Sequence, residues 1–264
     1  MTTGQQPIHY ITVGTNDDAR DIAVTVRQAN GSGNAPAVVW LGGYRSDMTG
    51  TKAVELDRFA DDKGLGCIRL DYSGHGASGG DFNKGTISRW LEESLAVLVA
   101  LEAKNIVVIG SSMGGWIALR LIEELRKVAQ GPKVCGLVLI APAPDFTFEL
   151  IEPNLTEDEK ASLDERGYFE EHSEYSPEPN IFTRALIEDG RENRVLKDTI
   201  VTGCPVHILQ GMKDPDVPYQ HALKLMEYLP ADDVVLTLIR DGDHRLSRPQ
   251  DIAKMLAAVS SMTG

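Results

Sequence analysis

The sequence predicts an α/β fold: a mostly parallel central sheet of about eight strands with helices on both faces. Three observations predict it. Strand-sized apolar runs alternate with helix-spaced segments along most of the chain. Several of those runs are continuously apolar, as strands covered on both faces are. A short alternating hairpin comes before the first of them.

Taken in order, 9–13 and 21–27 alternate apolar with polar residues and read as two half-buried strands, with 14–20 as their turn. Ala37-Val38-Val39-Trp40-Leu41 is a buried strand, and 51–63 carries helical spacing through Val54, Leu56, Phe59 and Ala60. A strand at 66–72 and a helix at 87–102 follow. A strand at 106–110 runs directly into a helix at 113–129, and 134–141 is the next strand. The chain closes with strand 206–210, helix 219–229, strand 234–239 and helix 250–260. Repeated strand–helix units after a hairpin give parallel pairing with crossovers of one hand. With no internal repeat or low-complexity linker, residues 1–264 are expected to form one domain.

Residues 143–200 break this rhythm. They hold no strong strand, and they contain 16 Asp/Glu against 6 Lys/Arg, a net of 6 − 16 = −10 out of the chain's −13. A connection of this length between two core strands is too long for a plain loop, so the segment is expected to be a helical cap or lid over one edge of the sheet.

The charge balance narrows the function classes. The chain has 264 residues with 26 Lys/Arg and 39 Asp/Glu, and a pI near 4.9. Such a balance argues against nucleic-acid binding by phosphate neutralisation and against adsorption to anionic membranes. No apolar run reaches the roughly 18–20 residues of a membrane helix. Residues 1–7 hold neither a basic cluster nor an apolar stretch, so a cytoplasmic location is expected. Cys67, Cys135 and Cys204 are far apart and lack metal-ligand spacing, so they read as thiols in a reducing compartment. Neither a metal nor a cofactor is expected.

The strongest chemical signal is Gly110-Ser111-Ser112-Met113-Gly114, a G-x-S-x-G placed between a buried strand and a helix. A nucleophile on a sharp strand-to-helix turn needs neighbours without bulk, and the turn sets its hydroxyl beside the free N–H groups of the new helix. A serine hydroxyl is a weak nucleophile without a base. Of six histidines, His9, His172, His207 and His221 read as structural or surface residues, and His75 lies in a Gly-rich loop. His244, in Asp241-Gly242-Asp243-His244-Arg245, follows the last strand and so shares the sheet edge of Ser112. It is the candidate base.

Asp214 and Asp216, after the next-to-last strand, both qualify by position as the acid that orients the base. Asp214 comes sooner after the strand end and is favoured, while Asp216 reads as a turn residue before Val217-Pro218. An oxyanion intermediate needs two donors. The backbone N–H of Met113 is one candidate. The backbone N–H of Tyr44, in Gly42-Gly43-Tyr44-Arg45 after the strand 37–41, is the other. Arg45 is a candidate for recognising an anionic group of the substrate. Trp116 reads as core.

With these residues in hand, the chain resembles the α/β hydrolases along nearly its whole length. Asp71-Tyr72-Ser73-Gly74-His75-Gly76-Ala77-Ser78 matches the family's D-x-x-G-x-G-x-S loop, where the resemblance makes His75 a structural neighbour. Residues 211–218 match its G-x-x-D-x-x-V-P pattern, which favours Asp214. The order Ser112, Asp214, His244 is that of the family. Within it, the chain is most similar to the subgroup of mitochondrial palmitoyl-protein thioesterases that also cleave acyl glucuronides. That likeness rests on Gly43-Tyr44, Gly50-Thr51-Lys52-Ala53, Cys67-Ile68-Arg69, Gly114-Gly115-Trp116, Gly211-Met212-Lys213-Asp214 and Asp243-His244-Arg245. The subgroup's mitochondrial address does not carry over to residues 1–7, and 143–200 is where members of the family differ, so the resemblance leaves substrate choice open. The expected activity is hydrolysis of small-molecule carboxylic esters or thioesters through an acyl-enzyme on Ser112. The alternatives are amide hydrolysis or perhydrolysis at the same residues, or a ligand-binding module without turnover.

Overall fold

The computed structural model describes residues 6–30, 35–129, 131–172, 178–229 and 233–264. The hairpin strands β1 (Ile8–Val13) and β2 (Arg20–Arg27) pair antiparallel. They are followed by β3 (Ala37–Leu41), α1 (Thr51–Lys63), β4 (Cys67–Leu70), α2 (Ile87–Ala100), β5 (Asn105–Ser111), α3 (Met113–Leu125) and β6 (Lys133–Ile140). After the insertion come β9 (Val206–Gly211), α6 (Tyr219–Glu227), β10 (Val234–Ile239) and α7 (Pro249–Thr263). The sheet has eight strands in the order β1-β2-β4-β3-β5-β6-β9-β10. Only the β1–β2 and β2–β4 pairings are antiparallel; from β4 to β10 every pairing is parallel.

Because successive strand residues face opposite sides, each parallel strand feeds two cores. Val38, Trp40, Val107, Ile109, Val138 and Ile140 pack with α1 and α7. Val39, Leu41, Ile106, Val108, Leu137 and Leu139 pack with α2, α3 and α6. That is why these strands carry no polar alternation in the sequence: both faces are covered.

Between β6 and β9 the chain departs from the expected helical cap. It contains α4 (Glu157–Arg166) and α5 (Arg184–Glu192), but also a two-stranded antiparallel sheet of β7 (Tyr168–Glu171) and β8 (Asn180–Thr183). The sequence hides these strands because each is only four residues long and their ladder closes on cross-strand pairs such as Phe169 opposite Phe182. The apolar side of the insertion, with Phe146, Phe169, Phe182, Leu186 and Ile187, belongs to the α2–α3 core. Trp116 is fully buried in that core, and its indole N–H donates to Asn193 O at 3.0 Å.

Candidate active site

The parallel strands end on one edge, and four of their C-terminal loops carry the candidate residues. β5 turns into α3 at Ser112, which has φ 54° and ψ −120°. A positive φ at a non-glycine residue is strained and must be enforced by its surroundings. Here Ser112 N–H donates to Ile140 O at 2.9 Å, and Ser112 O accepts from Gly115 N at 2.9 Å and Ala143 N at 3.1 Å. The glycines of the motif are required by close approach. A Cβ on Gly110 would lie 2.4 Å from Gly114 O, and one on Gly114 would lie 2.2 Å from Leu41 O. The turn is thereby wedged against the end of β3.

His244 brings the distant segments together. Its Nε2 lies 3.1 Å from Ser112 Oγ, and its Nδ1 lies 2.8 Å from Asp214 Oδ2. Those partners set the tautomer with the proton on Nδ1, leaving Nε2 to accept from the serine hydroxyl. Asp214 Oδ1 accepts from the backbone N–H groups of Asp216 at 2.9 Å and Val217 at 2.8 Å. Of the two aspartates, it is therefore Asp214 that reaches the imidazole, while Asp216 serves the turn through its backbone. The two loops are locked to each other: Lys213 N donates to Gly242 O at 2.8 Å, and a Cβ on Gly211 would sit 2.5 Å from that same oxygen. Lys52 Nζ donates to Arg245 O, next to His244.

Gln210, which sequence reasoning missed, also touches Asp214: its Nε2 lies 3.1 Å from Oδ2. The only sequence signal is a glutamine that directly follows the apolar pair Ile208-Leu209 within the strand Val206–Gly211.

Asp214, Asp216 and His244 also form the one grouping among the described residues whose ligand atoms approach as metal ligands do. Both ring nitrogens of His244 already have partners, so the donor set suits proton transfer better than metal binding.

The turn after β3 lies against the serine. A Cβ on Gly43 would come 3.2 Å from Ser112 Cβ and 3.3 Å from Ser111 O, a tight contact that glycine avoids. Tyr44, which follows, stacks on Phe182 with centroids 5.2 Å apart, and its hydroxyl donates to Ile181 O in β8. Burial raises the Tyr44 phenol far above its usual range, so it stays protonated. Arg45 departs from its expected place. Its guanidinium pairs with Glu178 Oε2 at 2.8 Å and donates to Pro179 O, so it is committed to the insertion. Met113 opens α3, so its N–H belongs to the first turn, which has no intrahelical acceptor.

His75 supports this turn from below. Its Nε2 accepts from Arg45 N–H at 3.1 Å while Nδ1 faces Ser73 O at 3.1 Å. Burial lowers its pKa to about 4, which keeps it neutral and able to accept. Asp71 pins the same loop from the side, accepting from Met48 N at 2.6 Å and Ala77 N at 2.9 Å. His221 is likewise buried, with Nε2 2.8 Å from Pro144 O, and His207 meets Thr237 Oγ1 at 2.9 Å.

Comparison with known proteins agrees with this architecture. A family model described as the alpha/beta hydrolase family matches residues 30–255. The mouse protein named palmitoyl-protein thioesterase ABHD10, mitochondrial, is 30% identical over 231 residues, covering 87% of this chain and 76% of its own length. The structure of mouse alpha/beta hydrolase domain-containing protein 10 superposes with a TM-score of 0.83 at 26% identity, covering 97% of each chain. A crystal structure from Agrobacterium vitis S4 is 65% identical with a TM-score of 0.96, covering 99% of this chain and all of the other.

Proposed function

We propose, from the premise that this chain belongs to the alpha/beta hydrolase family, that it is a serine hydrolase cleaving carboxylic esters and thioesters through an acyl-enzyme. The carrying observation is the imidazole of His244, held between Ser112 Oγ at 3.1 Å and Asp214 Oδ2 at 2.8 Å. In this reading His244 Nε2 takes the hydroxyl proton as Ser112 attacks the acyl carbon. The buried Asp214 carboxylate stabilises the imidazolium and holds its tautomer. The backbone N–H groups of Met113 and Tyr44 receive the oxyanion, each worth roughly 10²–10³ in rate. His244 then returns the proton to the departing alcohol or thiol. Water, deprotonated by the same nitrogen, releases the acid and frees the serine. No cofactor is needed for this sequence.

Thioesters enter the proposal from the mouse relative's name and from the indifference of the mechanism to an oxygen or sulfur leaving group. Residues 143–200 are proposed as a cap on the one domain, since β8 lies over the Tyr44 turn. A cytoplasmic location is part of the same proposal. The mouse relative is named mitochondrial, and fractionation of the source cells decides between the two. Among the described residues no helix is long and apolar enough to cross a membrane.

Ser112→Ala is expected to abolish hydrolysis of p-nitrophenyl esters and labelling by a fluorophosphonate. Stoichiometric labelling of that variant would refute the assignment of Ser112.

A further inference from the structure

Gln210 is fully buried at the end of β9. Its Nε2 lies 3.1 Å from Asp214 Oδ2, 3.0 Å from Val217 O and 3.2 Å from Gly211 O. Its Oε1 has no partner among the described residues. Three acceptors around one nitrogen fix the amide's orientation, because the reverse would set its oxygen against three oxygens. A buried acceptor without a partner is unfavourable, and an apolar residue of the same length would avoid it. The position therefore carries a polar side chain in spite of packing.

We propose that Gln210 is a positioning residue for the acid. Its amide holds Oδ2 of Asp214 in place for His244. The two oxygens of Asp214 are secured differently. Oδ1 takes two backbone N–H groups of its own loop. Oδ2 takes His244 Nδ1 and Gln210 Nε2. The imidazole must move charge and reorient slightly during turnover, so it cannot by itself keep that oxygen still. The Gln210 amide can, because it issues from the sheet and shares its two N–H protons among Asp214 Oδ2 and the carbonyls of Val217 and Gly211 on either side of the loop. This inference rests on the proposed roles of Ser112, His244 and Asp214. The competing account is a core amide that only stitches residues 211–217 together.

The test uses Gln210→Met, which keeps the length and removes the donor. We expect kcat to fall roughly tenfold to a hundredfold, the range implied by losing a hydrogen bond to a charged group. KM should stay within about twofold, and fluorophosphonate labelling of Ser112 should slow by the same factor as kcat. A stitching role would lower the unfolding midpoint and leave kcat per folded molecule intact, which would overturn the proposal.

A second measurement needs no variant. In the wild type, phosphonylation of Ser112 changes the hydrogen bonding that His244 and Asp214 share, so the side-chain amide proton signals of Gln210 should shift. Unmoved signals would count against the proposal even if Gln210→Met fails to fold. The two levels separate cleanly. A wild type that never labels at Ser112 sinks both readings. A wild type that labels normally, beside a Gln210→Met variant labelling at the same rate, sinks this one alone.

Discussion

The strand ends that carry Ser112, Asp214 and His244 are built in the opposite way from the insertion that lies over them. At the strand ends, backbone meets backbone. Glycines at 110, 114 and 211 leave no room for a Cβ, and Asp214 is itself buried, as are two of its four partners, Gln210 and Val217. In the insertion, charge is spent at the surface. Lys160–Glu157 and Arg184–Asp164 pair with side chains 51% and 89%, and 45% and 81%, exposed. Pairs that exposed contribute little. What anchors the insertion is its apolar side and the buried Asp145, which accepts from Val195 N and Leu196 N at 2.8 Å. One region specifies positions to a fraction of an ångström; the other needs only to stay attached. Substitutions should therefore be costly in the first and mild in the second.

The largest expected effect tests the first region's chemistry. Asp214→Asn should lower kcat by about 10⁴, as loss of the orienting carboxylate does in the Ser–His–Asp template, with the fold intact. Asp216→Asn, two residues on, should cost far less than Asp214→Asn, since it is Asp214 Oδ2 that lies 2.8 Å from His244 Nδ1. A larger loss at 216 than at 214 would reassign the acid.

Next comes steric tolerance. Gly114→Ala should cost about 3 kcal/mol in urea unfolding, because the added methyl meets the backbone of Leu41 and Gly42 and neither can yield. Stability within about 0.5 kcal/mol of wild type would show that the turn relaxes easily.

A comparable effect should appear with pH at the joint between the two regions. The folded state lowers the pKa of His75 to about 4 by burial, against about 6.5 for an unperturbed histidine. Stability from this group is fully present above about pH 6.5 and is lost as pH falls toward about 4, because the unfolded chain binds the proton first. The span is worth about 3 kcal/mol. His75→Gln should flatten that part of the stability profile. An unchanged slope between pH 6.5 and 4.5 would mean that the imidazole is not held neutral.

The smallest effect belongs to the insertion. Gly167, just past α4, has φ +79° but nothing within 4 Å of a would-be Cβ. Gly167→Ala should cost only the left-handed backbone penalty, about 1 kcal/mol. If it cost as much as Gly114→Ala, the contrast between the regions would fail.

Most of the sheet was legible because its signals are local. The run Ala37-Val38-Val39-Trp40-Leu41 can only be a strand covered on both faces, and that is where β3 lies. G-x-S-x-G reads as a turn because its glycines answer a need within five residues, Gly110 against Gly114. The two short strands of the insertion were illegible. Tyr168–Glu171 and Asn180–Thr183 carry no apolar run of their own and exist by pairing with each other.

The chain alone determined the order of elements, the sheet edge that gathers the loops and the residue types available there, since hydrophobic period and turn chemistry act over a few positions. Only the tertiary structure decided which aspartate meets His244. It also decided that the Arg45 guanidinium turns to Glu178, 133 residues away, and that Gln210 aims its amide at Asp214. Those choices depend on how separate segments meet in space. Polar side chains select among neighbours by distances of a few tenths of an ångström, which no periodicity in the chain encodes.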